Sequence, residues 1–432
     1  MARKVLLIAY YWPPSGGAGV QRWVKFCKYL PEFGIEPVVL TVANGTYPML
    51  DESLADELPA DLEVHQAKSI EPYTIFGKLT GKTDKQVSTP STAFSTDGGW
   101  MQKLGVWVRS NFFIPDARIG WIPGAFSKAK DIITNQKIDT VITTGPPNST
   151  HVIGKKLKNW RPGVQWIMDM RDPWSQIFYN ETLPRTSLAQ HIDENMELKA
   201  LKTADDVIVV SNSMAELEKN IYKRYYHVIS NGFDHEDFPE SHKKNTKESN
   251  TFTIRYVGSM TEPAIPHQFF KALASLNNQQ KAMLNIEFFG SYNSKVHKAI
   301  ADNELEALIS FKGYVPHQEA TEAMQSANLL LLVIPDTKDN ELILTGKLFD
   351  YLAAQTPILF IGPKQGDAAH IIRNYKLGRC FDYAEFEAMG DFLEGALHGN
   401  DIPYKKWKGD FKSHPYSRYQ LTSRLAQILD QP

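Results

Sequence analysis

Short apolar runs alternate with stretches of helical spacing along almost the whole chain. Residues 4–11, 37–42, 139–144, 165–169, 204–211 and 227–234 read as buried strands. A second series follows at 252–257, 284–289, 309–311, 329–334 and 357–361. Amphipathic segments lie between them, over about 20–31, up to about 159, and from near 266, 294, 316 and 345. Strand and helix in strict alternation predict parallel, doubly wound sheets, so the fold class is α/β. A polar, charged break at 242–250 separates the two series, and the tail beyond Tyr404 ends in an amphipathic stretch over 417–429.

A length of 432 residues exceeds one ordinary core, so two domains are expected, 1–235 and 236–404. With 47 basic and 49 acidic residues the chain has no global basic field, which argues against nucleic acid as a partner. Its two cysteines, Cys27 and Cys380, fit no metal or redox spacing and suit a reducing cytoplasm. The apolar N-terminal stretch runs straight into Pro13-Pro14 and reads as a first strand rather than a signal peptide. No apolar run has the length of a membrane-spanning helix.

Chemistry concentrates at 341–362. On a helix over 345–354, Lys347, Asp350, Tyr351 and Ala354 share one face, with Thr345 or Gly346 as cap. A helix N-terminus with Lys347 in its first turn suits a phosphate, and Asp350 one turn deeper suits the diol of a ribose. The same residues also fit a capped helix with a solvated lysine and aspartate.

In the first half, Gly16, Gly17 and Gly19 follow the first strand, where backbone can approach a ligand, or simply make a tight turn. The dinucleotide fingerprint fails at Arg22, and the second strand ends without an acid, which disfavours NAD. Arg22 and Lys25 on the next helix are placed to face an anionic acceptor or to be solvated. Polar groups gather at two further strand ends, where open α/β sheets bind ligands: Ser149 with His151, and Asp169, Arg171 and Asp172. The bland alternatives are a buried ion-pair knot and an ordinary histidine at a helix start. The spacing Asp-Met-Arg-Asp is not a metal motif, and no metal is inferred. Residues 77–99 read as a surface loop. The helix after it puts Trp100, Leu104, Trp107 and Val108 on one face beside Lys103 and Arg109, which suits either a membrane interface or a core.

Taken in order, the glycine loop, Pro115-Asp116-x-Arg118, Gly145-Pro-Pro-x-Ser-x-His151, Asp169-x-Arg-Asp-Pro-Trp174, Asn231-Gly232, Val257-Gly258, Lys312-Gly313-Tyr314-Val315 and Lys347-x-x-Asp350 resemble retaining glycosyltransferases of family four, of the cell-surface polysaccharide type. The resemblance implies the GT-B fold: two Rossmann-like domains facing a central cleft, acceptor on the first and nucleotide-sugar on the second, with a tail helix within 405–432 packing back on the first. It implies hexosyl transfer with retention, from a UDP- or GDP-linked donor as co-substrate, without cofactor or metal. Catalytic roles fall on His151, Asp169, Arg171, Asp172 and Lys347. Donor contacts fall on Gly16, Gly17, Gly19, Gly258, Ser259, Gly290, Tyr314, Val315, Thr345, Gly346, Lys347, Leu348 and Asp350. The acceptor implied is a glycan or a lipid-linked sugar, with the enzyme cytoplasmic at the inner face of a membrane and in peripheral contact with it; oligomeric state is not implied. The chain departs from the family at Asp350 (usually Glu), Gln355 (usually Gly), Leu342 (usually Glu) and Ser259, after which no basic residue follows until Lys271. A nucleotide-sugar epimerase or phosphorylase of the same fold, and a non-catalytic assembly subunit, are the rival readings.

Overall fold

The computed structural model describes residues 2–70, 100–177, 180, 183–239, 251–400 and 402–430. The expected loop at 77–99 and the expected break at 242–250 both lie outside these residues. Contacts divide the chain into one unit of Met1–Ser230 with Leu421–Pro432 and a second of Asn231–Gln420.

The first unit is built on a seven-stranded parallel sheet in the order β3-β2-β1-β4-β5-β6-β7. Its strands are β1 (Arg3–Ile8), β2 (Ile35–Val42), β3 (Glu63–Ala67), β4 (Thr140–Gly145), β5 (Gln165–Met170), β6 (Asp206–Val209) and β7 (His227–Val228). The helices are α1 (Ala18–Tyr29), α2 (Trp100–Phe112), α3 (Ile122–Gln136), α4 (Ser149–Trp160), α5 (Ser187–Thr203) and α6 (Asn212–Ile221). Valine, isoleucine and leucine fill β1 and β2 because helices cover both faces, and the core runs from Val5 and Leu7 to Trp23, Phe26 and Leu425. The last expected strand is cut short. Only His227 and Val228 pair with β6; Phe233 pairs instead with Ser417, and the Asp234 carboxylate then accepts the Glu236 N–H at the start of a 3-10 turn over His235–Asp237.

The second unit carries a six-stranded parallel sheet in the order β10-β9-β8-β11-β12-β13. Its strands are β8 (Phe252–Val257), β9 (Leu284–Phe289), β10 (Ile309–Gly313), β11 (Leu329–Val333), β12 (Ile358–Ile361) and β13 (Gly378–Phe381). Its helices are α7 (His267–Ser275), α8 (Asn278–Ala282), α9 (Ser294–Ala301), α10 (His317–Gln325), α11 (Gly346–Ala354), α12 (Asp367–Tyr375) and α13 (Phe386–Leu397), followed by α14 (Arg418–Leu429). One core cluster gathers Phe269, Phe270, Ile286 and Phe288, and the other gathers Leu330, Leu332, Phe349, Tyr351 and Phe360.

The tail does not leave the second unit at 405. Lys405 N–H donates to the Lys376 carbonyl, Phe411 and Tyr416 pack on the core around Phe349, and Phe233 pairs with Ser417. Only from Leu421 does it join the first unit, where Leu421, Leu425 and Leu429 are buried.

In each sheet the chain winds one way and then the other from a central strand, β1 and β8. The strand order therefore switches between β1 and β4 and between β8 and β11, the places where open α/β sheets hold ligands.

Candidate active site

Three glycine turns line the carboxyl ends of β8, β9 and β10. Gly258 N–H donates to the Phe289 carbonyl at 2.8 Å, and Gly290 N–H donates to the Gly313 carbonyl at 2.7 Å. Gly258, Gly290 and Gly313 have φ of 128°, 129° and 72°, a region that side chains with a Cβ avoid. A Cβ on Gly290 would stand 2.5 Å from the Gly258 carbonyl oxygen, so the two turns pack backbone to backbone.

Over this platform lies Lys347. Its Nζ donates to the Tyr256 hydroxyl at 2.5 Å and the Ser259 carbonyl at 3.1 Å, and sits 4.3 Å from the Tyr256 ring centre. Tyr256 in turn donates to the Ser259 carbonyl at 3.0 Å, so ring, turn and lysine form one unit. Burial lowers the Lys347 pKa to about 8, with Asp350 pulling the other way. The helix that carries it starts at Gly346, and the Thr345 side chain does not cap it.

Residues expected at this site separate by reach. Gly258, Ser259, Gly290 and Lys347 come together, with Gly346 and Thr345 at the helix start and Asp350 one turn on. Tyr314 follows the third turn and is 82% exposed. Val315 packs partly against the α11 core. The Leu348 side chain is buried in that core, so a donor contact there falls to its backbone. Tyr351 shares the sequence face of Lys347 but turns inward, its hydroxyl accepting the Val257 N–H at 2.9 Å. Leu342, where the family places a glutamate, ends the 3-10 turn Asn340–Leu342. Sequence reasoning missed Tyr256, which looked like any inward residue of a strand.

The first unit gathers its polar groups at the ends of β1, β4 and β5. Asp169 is fully buried and accepts from Arg22 Nη2 at 2.9 Å, Trp23 Nε1 at 2.8 Å and Thr144 Oγ1 at 2.9 Å. Burial alone would raise its pKa; the Arg22 charge and these donors hold it below the usual range. Arg22 also donates to the Ser230 carbonyl and is itself fully buried. Lys25 is buried too, against Glu57. Neither faces an acceptor, because each is consumed by an internal ion pair. Asp169 is likewise the anion of a buried pair with Arg22.

Arg171 takes the outer position. Its Nε donates to the Gly145 carbonyl at 3.1 Å and its Nη2 to the Pro146 carbonyl. A Cβ on Gly19 would coincide with its guanidinium, 1.2 Å from Nη1, so Gly19 is the residue that admits Arg171. Gly17 has φ of 108°, and a Cβ on Gly16 would press on Asp51 at 2.9 Å. Asp172 next to Arg171 is exposed. His151 is sealed behind the loop, Nδ1 2.9 Å from Thr143 Oγ1 and Nε2 buried against Gly145 with no protein partner. Burial drives its pKa to about 3, with Asp169 opposing and Arg171 reinforcing, so the ring is neutral. It is fully buried and supports the Gly145 turn from beneath. Asp116 accepts from Ser149 N–H and Oγ at 2.8 Å, capping α4 from a distant loop, while Arg118 holds Thr46 and lies over the Tyr10 ring.

Comparison with known proteins adds to this geometry. Residues 237–408 match the family described as Glycosyl transferases group 1. No curated protein matches the chain in sequence. Among solved structures, HepE of Anabaena in complex with UDP and glucose aligns with a TM-score of 0.61 at 14% identity over 99% of both chains. Sucrose-phosphate synthase of Thermosynechococcus elongatus gives 0.60 at 13% identity, over 98% of this chain and 93% of that one. The lipopolysaccharide outer core galactosyltransferase WaaB gives 0.59 at 12% identity, over 99% and 100%. The chain thus has two Rossmann-like domains in the fold of the GT-B glycosyltransferases, and the match to the Glycosyl transferases group 1 model falls within the second of them.

Proposed function

We propose that the protein transfers a hexosyl residue from a nucleotide-sugar, UDP- or GDP-linked, to a glycan or lipid-linked acceptor in surface polysaccharide synthesis, with retention of configuration and without metal or cofactor. The observation that carries this reading is Lys347 at the start of α11, lying on the Gly258–Ser259 turn that Gly290 supports. A diphosphate seated there meets helix-terminal N–H groups and a lysine charge, and glycine turns that let backbone come close. Asp350 is one turn further along, where a carboxylate suits the diol of a ribose, and Tyr314 stands exposed on the rim for a base to rest on. HepE, crystallised with UDP and glucose, supports a uridine diphosphate donor.

In this reading most of the acceleration comes from holding donor and acceptor together and from stabilising the departing diphosphate, through Lys347 and the helix start. The first unit presents the acceptor, with Arg171 as the cation at its strand ends. An assembly subunit without turnover draws on Leu342 in place of the usual glutamate. Incubation with a panel of nucleotide-sugars and glycan acceptors tests the reading. Transfer with release of nucleoside diphosphate, and an unchanged anomeric configuration by NMR, is the expected result. Donor isomerisation alone points to an epimerase, and nucleotide binding without turnover points to the assembly subunit.

A further inference from the structure

Helix α2 is amphipathic in the wrong sense for a core element. Val106 and Ser110 face the body of the first unit and are buried, and Ser110 Oγ donates to the Val106 carbonyl. Its large side chains point out: Trp100 is 74% exposed and Phe112 67%, with Leu104 and Trp107 exposed beside them. The expectation that this face is core fails, because the small residues occupy the inner side.

The patch extends onto α5. Asn111 Nδ2 donates to the Pro184 carbonyl at 2.8 Å, and its Oδ1 accepts the Thr186 N–H at 2.7 Å, which fixes the start of α5 beside the end of α2. From that start Leu188, 70% exposed, and Ile192 continue the apolar surface. Trp107 and Phe112 touch edge to face, 5.9 Å between ring centres. Monomeric proteins rarely expose so many large apolar groups together without a partner.

Charge selects among partners. α2 contains Lys103 and Arg109 and no acidic residue, although the whole chain has a net charge of −2. On α5, Leu188, Ile192, Asn195 and Lys199 fall at i, i+4, i+7 and i+11, so the apolar stripe ends in a lysine about 16 Å further along. Lys199 lies near Lys155 and Lys156 of α4; burial, then the charges of Lys199 and Lys156, lower the Lys155 pKa. Asp193 and Glu197 of α5 turn inward, and the exposed Glu194 falls on a different face of the helix from the Leu188–Lys199 stripe. An apolar, tryptophan-bearing surface rimmed by basic side chains is the complement of an anionic lipid headgroup layer. No helix among the described residues is long and apolar enough to cross a membrane, so the contact is with the interface.

We infer that the outer face of α2 and the start of α5 dock the protein on an anionic membrane surface, with Trp100, Leu104, Trp107, Phe112, Leu188 and Ile192 entering the headgroup region. This placement fits a lipid-linked acceptor but uses none of the sugar chemistry, so vesicle binding and nucleotide-sugar turnover succeed or fail separately.

Flotation of the full chain with phosphatidylcholine vesicles, with and without phosphatidylglycerol, tests it. The expected result is co-flotation with the anionic vesicles only, weakened by salt. Leu104→Glu/Leu188→Glu is expected to abolish it, and Lys103→Gln/Lys199→Gln, which leaves every apolar contact in place, to weaken it on the order of tenfold. Both variants should melt with the wild type, since the altered side chains are on the surface. Wild-type protein that stays unbound overturns the inference, as do variants that bind unchanged. So does a wild-type dimer that Leu104→Glu/Leu188→Glu splits while vesicles remain unbound, which assigns the face to a second copy.

Discussion

A Cβ on Gly258 would stand 2.3 Å from Cε of Lys347 and 2.8 Å from its Nζ, so the lysine lies directly on the glycine turn. At φ of 128° the turn is also closed to other residues by backbone strain. Gly258→Ala is therefore expected to lower stability by about 1–3 kcal/mol and to push Lys347 out of place. Gly313→Ala, at φ of 72° with no atom within 4 Å, serves as the control and should cost only the backbone strain. Melting curves and nucleotide affinity for the two variants check the pair: equal losses would detach the lysine from the turn.

Lys347 is a buried cation whose ordinary pKa of 10.5 is lowered to about 8. Between those values the unfolded chain binds a proton that the folded one has released, so stability rises as pH climbs from about 8 to 10.5. Diphosphate binding follows the opposite course, since it uses the charge. kcat/KM for the donor should fall above pH about 8, while the melting temperature without ligand does not. Lys347→Met should flatten the alkaline limb and cut turnover by roughly 100-fold without lowering the melting temperature.

How much of this was legible depended on the range of the interaction. The inner strands of both sheets were readable because a parallel sheet covered on two faces needs continuous apolar runs, as at 329–334 and 357–361, whereas the half-exposed edge strands β3 and β13 carry no such run and were missed. The glycine turns were readable because a strand that ends in Val257-Gly258 or Phe289-Gly290 has few other uses for glycine. Arg22 was misplaced for a physical reason. Its partner Asp169 lies 147 residues away, and helix spacing says nothing about a pair made through the fold. Tyr256 stayed hidden in the same way, since its ring meets Lys347 across 91 residues. The outward face of α2 was ambiguous because periodicity gives a face but not its direction.

The Arg22–Asp169 pair supplies a stability prediction. Both groups are fully buried, so Arg22→Met leaves a buried carboxylate without its paired cation, held only by the Trp23 and Thr144 donors, and should destabilise by about 3–5 kcal/mol. Denaturant unfolding of the single variants and of Arg22→Met/Asp169→Asn checks it. The double variant should recover part of the loss, because the orphaned charge is gone.

A second acidic cluster lies beneath the Trp174 loop. Glu197 and Glu218 are both fully buried, Glu197 accepts the Ser175 N–H at 3.3 Å, and both Glu218 oxygens lack a protein partner. Burial raises both, Glu197 to about 7 from 4.5. The folded state holds protons the unfolded chain has lost, so this stability is complete below pH 4.5 and vanishes as pH rises through about 7. Glu218→Gln should make the protein more stable at pH 8 and less dependent on pH between 5 and 8, which thermal melts across that range would show.

The most direct test of the donor site is calorimetric titration of UDP and GDP into the wild type, Lys347→Ala and Asp350→Ala. One of the two nucleotides should bind the wild type, with affinity falling by about tenfold or more when Lys347 or Asp350 is removed. Neither nucleotide binding, or equal affinity in all three proteins, would contradict a diphosphate held on the Gly258 turn by Lys347.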